Sequence, residues 1–108
     1  MPTIAEIGTM LEDHFLSEKA SDTDAVIQFD LSGDGGGLLY VVIKDGTLKA
    51  HEGPAEAPAM TLKATKEDYY AIMTGDLNAM QAFMQGKVKV SGDMGLAMKI
   101  QTMFSQPE

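Results

Sequence analysis

Apolar residues recur at helical spacing from the start of the chain. Ile4, Ile7, Leu11 and Phe15 form one stripe, with Met10 and His14 beside it and Glu6, Glu12, Asp13 and Glu18 on the other side. Thr3 and Glu6 spell a T-x-x-E capping box ahead of that stripe, so an amphipathic helix is predicted to run to about residue 19. After the polar break at Ser21-Asp22-Thr23-Asp24 the period falls to two, and Ile27, Phe29 and Leu31 share one face of a half-buried strand over 26–31. The glycines at 33 and 35–37 supply a turn into a second strand over 38–43. Asp45-Gly46 is a two-residue turn signal leading to a third strand over 47–51. Residues 52–58, with Gly53, Pro54 and Pro58, pair poorly in a sheet and are expected to form a loop. Met60, Leu62 and Ala64 then alternate with Thr61, Lys63 and Thr65 in a fourth strand.

The last third of the chain returns to helices. Thr65 and Asp68 open a short helix through Tyr69, Tyr70, Ile72 and Met73 that stops at Gly75. Asp76 is expected to cap the next helix, whose apolar stripe is Leu77, Met80, Phe83 and Met84 and whose end is Gly86. A fifth strand over 87–91 turns Val88 and Val90 inward, and Asp93 caps a final helix carrying Met94, Leu96, Ala97, Ile100, Met103 and Phe104. The order α-β-β-β-β-α-α-β-α over 108 residues predicts one domain, 1–108, of the α+β class: an antiparallel-rich sheet with its helices on one face. Leu38, Tyr40 and Val42 fall on the outer face of their strand, a patch available for self-association; the oligomeric state is left open.

Charge narrows the partners. A formal net charge of -8, with 16 acidic residues against 8 lysines and no arginine, argues against nucleic acid and against strong anion binding. The absence of cysteine excludes disulfides and thiolate chemistry and fits a reducing compartment. The longest apolar run, 38–43, is far below the ~20 residues of a membrane-spanning helix, and the start of the chain shows no signal-peptide pattern. A cytoplasmic address is expected.

Few motifs carry chemistry. Asp30-x-Ser32-x-Asp34-Gly35 imitates the opening of a calcium loop, yet position twelve is Val41 and strands flank it, so a polar hairpin turn is expected. The glycines at 33–37 are spaced too closely for a phosphate-binding loop and precede a strand. His51-Glu52 lacks the second histidine of a zinc motif, and His14 reads as a partly buried packing residue. A triad drawn from Ser91, His14 and Asp93 has no nucleophile elbow to support it. No enzyme, no metal and no cofactor are expected. The informative feature is softness: Met73, Met80, Met84, Met94, Met98 and Met103 cluster on the later helices, and flexible, polarisable thioethers at this density suit a deformable ligand wall or a helix-binding surface as well as they suit ordinary core.

The run from Met73-Thr74-Gly75 through Ala82-Phe83-Met84-Gln85-Gly86-Lys87-Val88-Lys89 to Met94-Gly95-Leu96-Ala97-Met98-Lys99-Ile100 resembles the sterol carrier protein 2 domain family. Lys44-Asp45-Gly46 and the strand over 60–64 resemble earlier parts of that domain, so the likeness covers nearly the whole chain. The resemblance implies a five-stranded sheet covered by helices, with a hydrophobic tunnel that holds sterols, fatty acids, fatty acyl-CoA or other lipids, and no catalysis. The positions implied to line the tunnel are Phe15, Ile27, Phe29, Leu39, Val41, Tyr70, Met73, Phe83, Met84, Met98, Ile100 and Phe104, with Gln101 as a polar anchor for a head group. The expected function is non-enzymatic lipid binding or transfer with transient membrane contact. The alternative is a protein-interaction module built on the Met-rich helical surface, and a third, weaker reading is a hydrolase of small lipophilic esters.

Overall fold

Thr3 starts the first helix, α1 (Ile4–His14), through the predicted box: the Glu6 N–H donates to Thr3 Oγ1 at 3.1 Å and the Thr3 N–H to Glu6 Oε1 at 3.0 Å. A computed structural model describes residues 3–16 and 23–100, except the side chains of residues 79, 97, 98 and 100. The helix stops sooner than expected, because Phe15 has the extended backbone of a C-cap (φ -70°, ψ 131°) and folds back to pack against the core. His14, in the last turn, is exposed and not the half-buried packing residue its sequence position suggests.

The strands follow the alternation closely. They are β1 (Ala25–Ser32), β2 (Gly37–Lys44), β3 (Thr47–Glu52), β4 (Met60–Thr65) and β5 (Lys89–Gly92), in the spatial order β3-β2-β1-β4-β5. Asp45 (φ 53°) and Gly46 (φ 76°) both take positive φ, as a tight hairpin turn matching the strand twist requires. Three of the neighbouring pairs are antiparallel, and β1 with β4 is parallel, because the chain leaves the edge strand β3 and crosses β2 and β1 before re-entering the sheet. The register aligns one inner face: Phe29 opposite Leu39 and Leu62, Ile27 opposite Val41 and Met60, and Leu62 opposite Val90.

The remaining helices are α2 (Lys66–Thr74), α3 (Ala79–Met84) and α4 (Met94–Ile100). Thr65 caps α2 by accepting from the Asp68 N–H at 3.0 Å, and Gly75 ends it at φ 87°, both as expected. The cap of α3 is Asn78, whose Oδ1 accepts from the Gln81 N–H at 3.1 Å. Asp76 was the expected cap, but its carboxylate instead accepts from the Thr74 hydroxyl at 3.3 Å, and Leu77 lies outside the helix. Asp93 caps α4 by accepting from the Leu96 N–H at 3.1 Å.

One apolar cluster joins the sheet's inner face to Ile4, Ile7 and Leu11 of α1, Tyr69 of α2, Ala82 of α3 and Leu96 of α4. The fold is therefore α+β, a five-stranded, mostly antiparallel sheet with its helices gathered over one face. On the other face Gln28 is buried, and a strap over residues 53–59 explains why. The Gln28 Nε2 donates to the carbonyls of Leu39 (3.0 Å) and Gly53 (3.4 Å), while its Oε1 accepts from the Ala55 N–H at 2.6 Å. The strap is tied again where the Ala59 N–H donates to the Val26 carbonyl and the Asp93 N–H to the Ala59 carbonyl.

Candidate functional site

Two places on the helix side of the sheet are open enough to consider. The first is a cleft where α1 crosses β2 and β3, lined by Ile4, Gly8, Thr9, Glu12, Leu39 and Ala50 among others. The helix comes close here because Gly8 has no side chain: a Cβ on it would stand 3.1 Å from that of Ala50. Glu12 reaches across and accepts the Ala50 N–H of the edge strand at 2.9 Å. The cleft measures about 140 Å³, and both Glu12 and Glu52 border it. Small-molecule sites span ~300–1,000 Å³ and are mostly apolar, so this space is too small and too acidic for a lipid.

The second place is the apolar face over β1, β4 and β5. Leu62 of β4, Ile72 and Met73 of α2, Leu77 of the α2–α3 link and Val90 of β5 pack against the core yet remain only partly buried. They form a contiguous wall by register and helix position, since Leu62 and Val90 are cross-strand partners and α2 lies over β4 and β1. Tyr69 closes its inner end, its ring 5.4 Å from that of Phe29, and burial pushes its hydroxyl well above the ordinary tyrosine range.

The residues singled out from the sequence divide among these surroundings. Ile27, Phe29, Leu39 and Val41 are fully buried on the inner face of β1 and β2. Phe15, Tyr70 and Met73 are partly buried, with Phe15 and Met73 against the core. Phe83 and Met84 are exposed, at 49% and 79%, because α3 turns the small Ala82 inward and its large apolar side chains out. The side chains of Met98 and Ile100, and Gln101 and Phe104 altogether, lie outside the described residues. Leu62, Ile72 and Val90 went unnoticed as wall residues, although their alternation and helical spacing were legible.

The family profile described as "SCP-2 sterol transfer family" matches residues 7–105. The chain belongs to this sterol transfer family. It is 30% identical over 95% of its length to hydroxysteroid dehydrogenase-like protein 2 of Mus musculus, and that match spans 21% of the mouse protein. This chain thus corresponds to about a fifth of the length of that relative. It is 49% identical to human sterol carrier protein 2 over 47 residues, 44% of this chain and 9% of the human protein. The solution structure of sterol carrier protein domain 2 of Helicoverpa armigera superposes with a TM-score of 0.65 at 31% identity, covering 90% of this chain and 81% of that one. A sterol transfer domain is a lipid-binding domain in general terms, and the sheet with its helical cover is the architecture it shares with that structure. Among the described residues no set of His, Asp and Glu side chains converges as a metal site would require.

Proposed function

We propose that this chain is a non-enzymatic lipid-binding domain. It holds one fatty acid, sterol or similar lipophile between the inner face of β1, β4 and β5 and the helices α2 and α4. The carrying observation is the half-buried wall of Leu62, Ile72, Met73, Leu77 and Val90, in a chain whose family membership spans residues 7–105. Elsewhere on the same sheet face the large apolar side chains Ile27, Phe29, Leu31, Leu39, Val41, Ile43, Leu48 and Met60 are exposed by no more than 6%. Removing ligand surface from water at roughly 25 cal/mol per Å² drives binding, and few polar contacts are needed. The net charge of -8 disfavours an acyl-CoA, whose phosphates need a basic mouth. The lack of cysteine supports a cytoplasmic address.

The test is native mass spectrometry of the full chain purified without detergent, paired with displacement of a fluorescent fatty acid. A bound lipophile released on denaturation is expected. Met73→Trp should weaken fatty-acid binding more than about tenfold while leaving the melting temperature nearly unchanged, since filling a loose wall costs little and overpacking a filled core costs ~1–3 kcal/mol. A bare chain with no saturable fatty-acid binding defeats the proposal, as does turnover of a chromogenic ester that titrates with the protein.

A further inference from the structure

Helix α2 turns one column of side chains toward the sheet: Lys66, Tyr69, Ile72 and Met73, at i, i+3, i+6 and i+7. The column changes character along its length of about 10 Å. Ile72 and Met73 belong to the half-buried apolar wall. Lys66 and Tyr69 lie deeper, only 6% and 9% exposed, yet both end in a polar group.

The protein satisfies neither of these groups. Among the described residues the Lys66 Nζ and the Tyr69 hydroxyl enter no hydrogen bond or ion pair, whereas the buried amide of Gln28 both donates and accepts. No partnerless polar atom of a described side chain is wholly sealed, so both groups keep a narrow opening. Lysine is seldom buried without an anion beside it. Glu6 senses the Lys66 charge, but its carboxylate is exposed and accepts the Thr3 N–H. Asp34 of the β1–β2 turn and Glu67 of α2 are exposed and make no ion pair with Lys66. Gly35 lies over the ammonium, and a Cβ there would stand 2.7 Å from Nζ, so a side chain at this position would crowd the charge. Burial pushes the Tyr69 hydroxyl well above the ordinary tyrosine range, so it keeps its proton and can donate.

Building on the carrier function proposed above, we propose that Lys66 and Tyr69 anchor the head group of the bound lipophile and select one that ends in an ionised carboxylate. The carboxylate accepts from the Lys66 ammonium and from the Tyr69 hydroxyl, and the tail runs along α2 past Ile72 and Met73. The polar-to-apolar order of the column thus matches that of an amphiphile bound head inward. An alcohol with the same tail buries the same apolar surface but leaves the ammonium without a counter-charge. A site that pairs a charged group discriminates against the analogue lacking it far more than an apolar wall discriminates between tails.

The experiment is displacement of the uncharged dye Nile red from the full chain by dodecanoate and, separately, by dodecanol, both below their aggregation limits. Leaving water costs the carboxylate more than the alcohol, so a preference for the acid reports recognition of the head group. Wild type should bind dodecanoate at least about tenfold more tightly than dodecanol. Lys66→Met keeps the apolar stem without the charge and should bring that ratio to about one or below. Tyr69→Phe should weaken dodecanoate binding roughly fivefold, and it decides the matter if circular dichroism shows Lys66→Met misfolded. Lys63→Met removes the same charge from the exposed outer face of β4 and should keep the wild-type ratio. Wild type that binds the two equally, or a ratio that survives both Lys66→Met and Tyr69→Phe, overturns the head-group assignment while the saturable binding upholds the carrier function. Saturable binding of neither compound overturns the carrier function and the assignment with it.

Discussion

The two halves of the sheet's inner face are covered in different ways. Under α1 the large apolar side chains are buried, beside the small acidic cleft: Ile4, Ile7 and Leu11 meet Leu39, Val41, Ile43 and Leu48, and none is more than 7% exposed. Gly8 lets the helix descend onto Ala50, and Glu12 fastens it to the open edge of β3. Under α2 and α4 the helices are short, and Leu62, Ile72, Met73 and Val90 stop at partial burial. The eleven-residue α1 buries its whole apolar stripe, whereas α2 and the shorter α3 and α4 leave these four side chains partly covered, and loosely covered apolar surface is what a ligand would use under the proposed function. Family membership concerns the whole domain, and the proposed function assigns the ligand to the half under α2 and α4.

Deleting side-chain volume tests the contrast most strongly. Ile7→Ala should cost about 2–5 kcal/mol, because the closed half cannot collapse around the hole. Met73→Ala should cost about 1 kcal/mol, near the centre of ordinary substitutions. Urea unfolding of both variants measures the difference, and equal losses would mean that the two halves are packed alike.

Next in size is the strap that crosses the opposite face between the halves. Gln28→Ala removes four hydrogen bonds at once, to the Phe29, Leu39 and Gly53 carbonyls and from the Ala55 N–H, and leaves the Ala55 N–H and the Leu39 carbonyl without that partner. A loss of about 1–3 kcal/mol is expected. Hydrogen exchange at Ala55 and Ala59 should accelerate at the same time; if the stability falls while those amides stay protected, the strap is held by other contacts.

These cases also show what the sequence could and could not reveal. Element positions were legible because their signals are local: the Thr3–Glu6 box, the Asp45-Gly46 turn, and the alternations of 26–31 and 60–64 are each written within a few residues. What escaped depends on partners far along the chain. Gln28 looked like the polar side of a strand until the strap over 53–59 covered it. Lys66 is a charged residue at a helix start, yet it is only 6% exposed because the turn at Gly35 lies over its ammonium. The stripe of α3 has the spacing of a core helix, and only the three-dimensional placement of Ala82 shows that it faces outward. The family likeness supplied the positions expected to line a tunnel, and the half-buried wall is a physical distinction it did not contain.

Tyr69 joins the two halves, since it belongs to α2 but is packed on Phe29 at the level of the closed core. Its buried hydroxyl resists ionisation in the folded state, whereas the unfolded chain releases that proton near pH 10. Because the folded value is raised, the associated stability is intact below pH 10 and is lost as the pH climbs above it. Tyr69→Phe should therefore unfold at a higher pH than wild type while differing little at neutrality. Alkaline unfolding followed by circular dichroism decides this, and superimposable profiles would place the hydroxyl in contact with water.

The smallest effect is confined to the start of α1, where it sharpens the contrast between halves. The Glu6 carboxylate is exposed, but the hydrogen bond it accepts from the Thr3 backbone N–H, then its interaction with the Thr3 hydroxyl, and more weakly the charge of Lys66, hold its carboxyl below the ordinary 4.5. A carboxyl depressed on folding contributes stability above its unfolded value and loses it as the pH falls through the folded one. The capping box should thus weaken only below about pH 4.5, and Glu6→Gln, which cannot ionise, should differ from wild type at neutral pH and converge with it in acid. Amide exchange resolves where the loss occurs. On acidification the wild type should lose protection relative to Glu6→Gln at Ile7 and Leu11, whose helix the box secures, and not at Val90, which sits under the short helices of the looser half. A uniform loss across both sites would mean that the halves open together, and that the closed packing under α1 is not a separate cooperative unit.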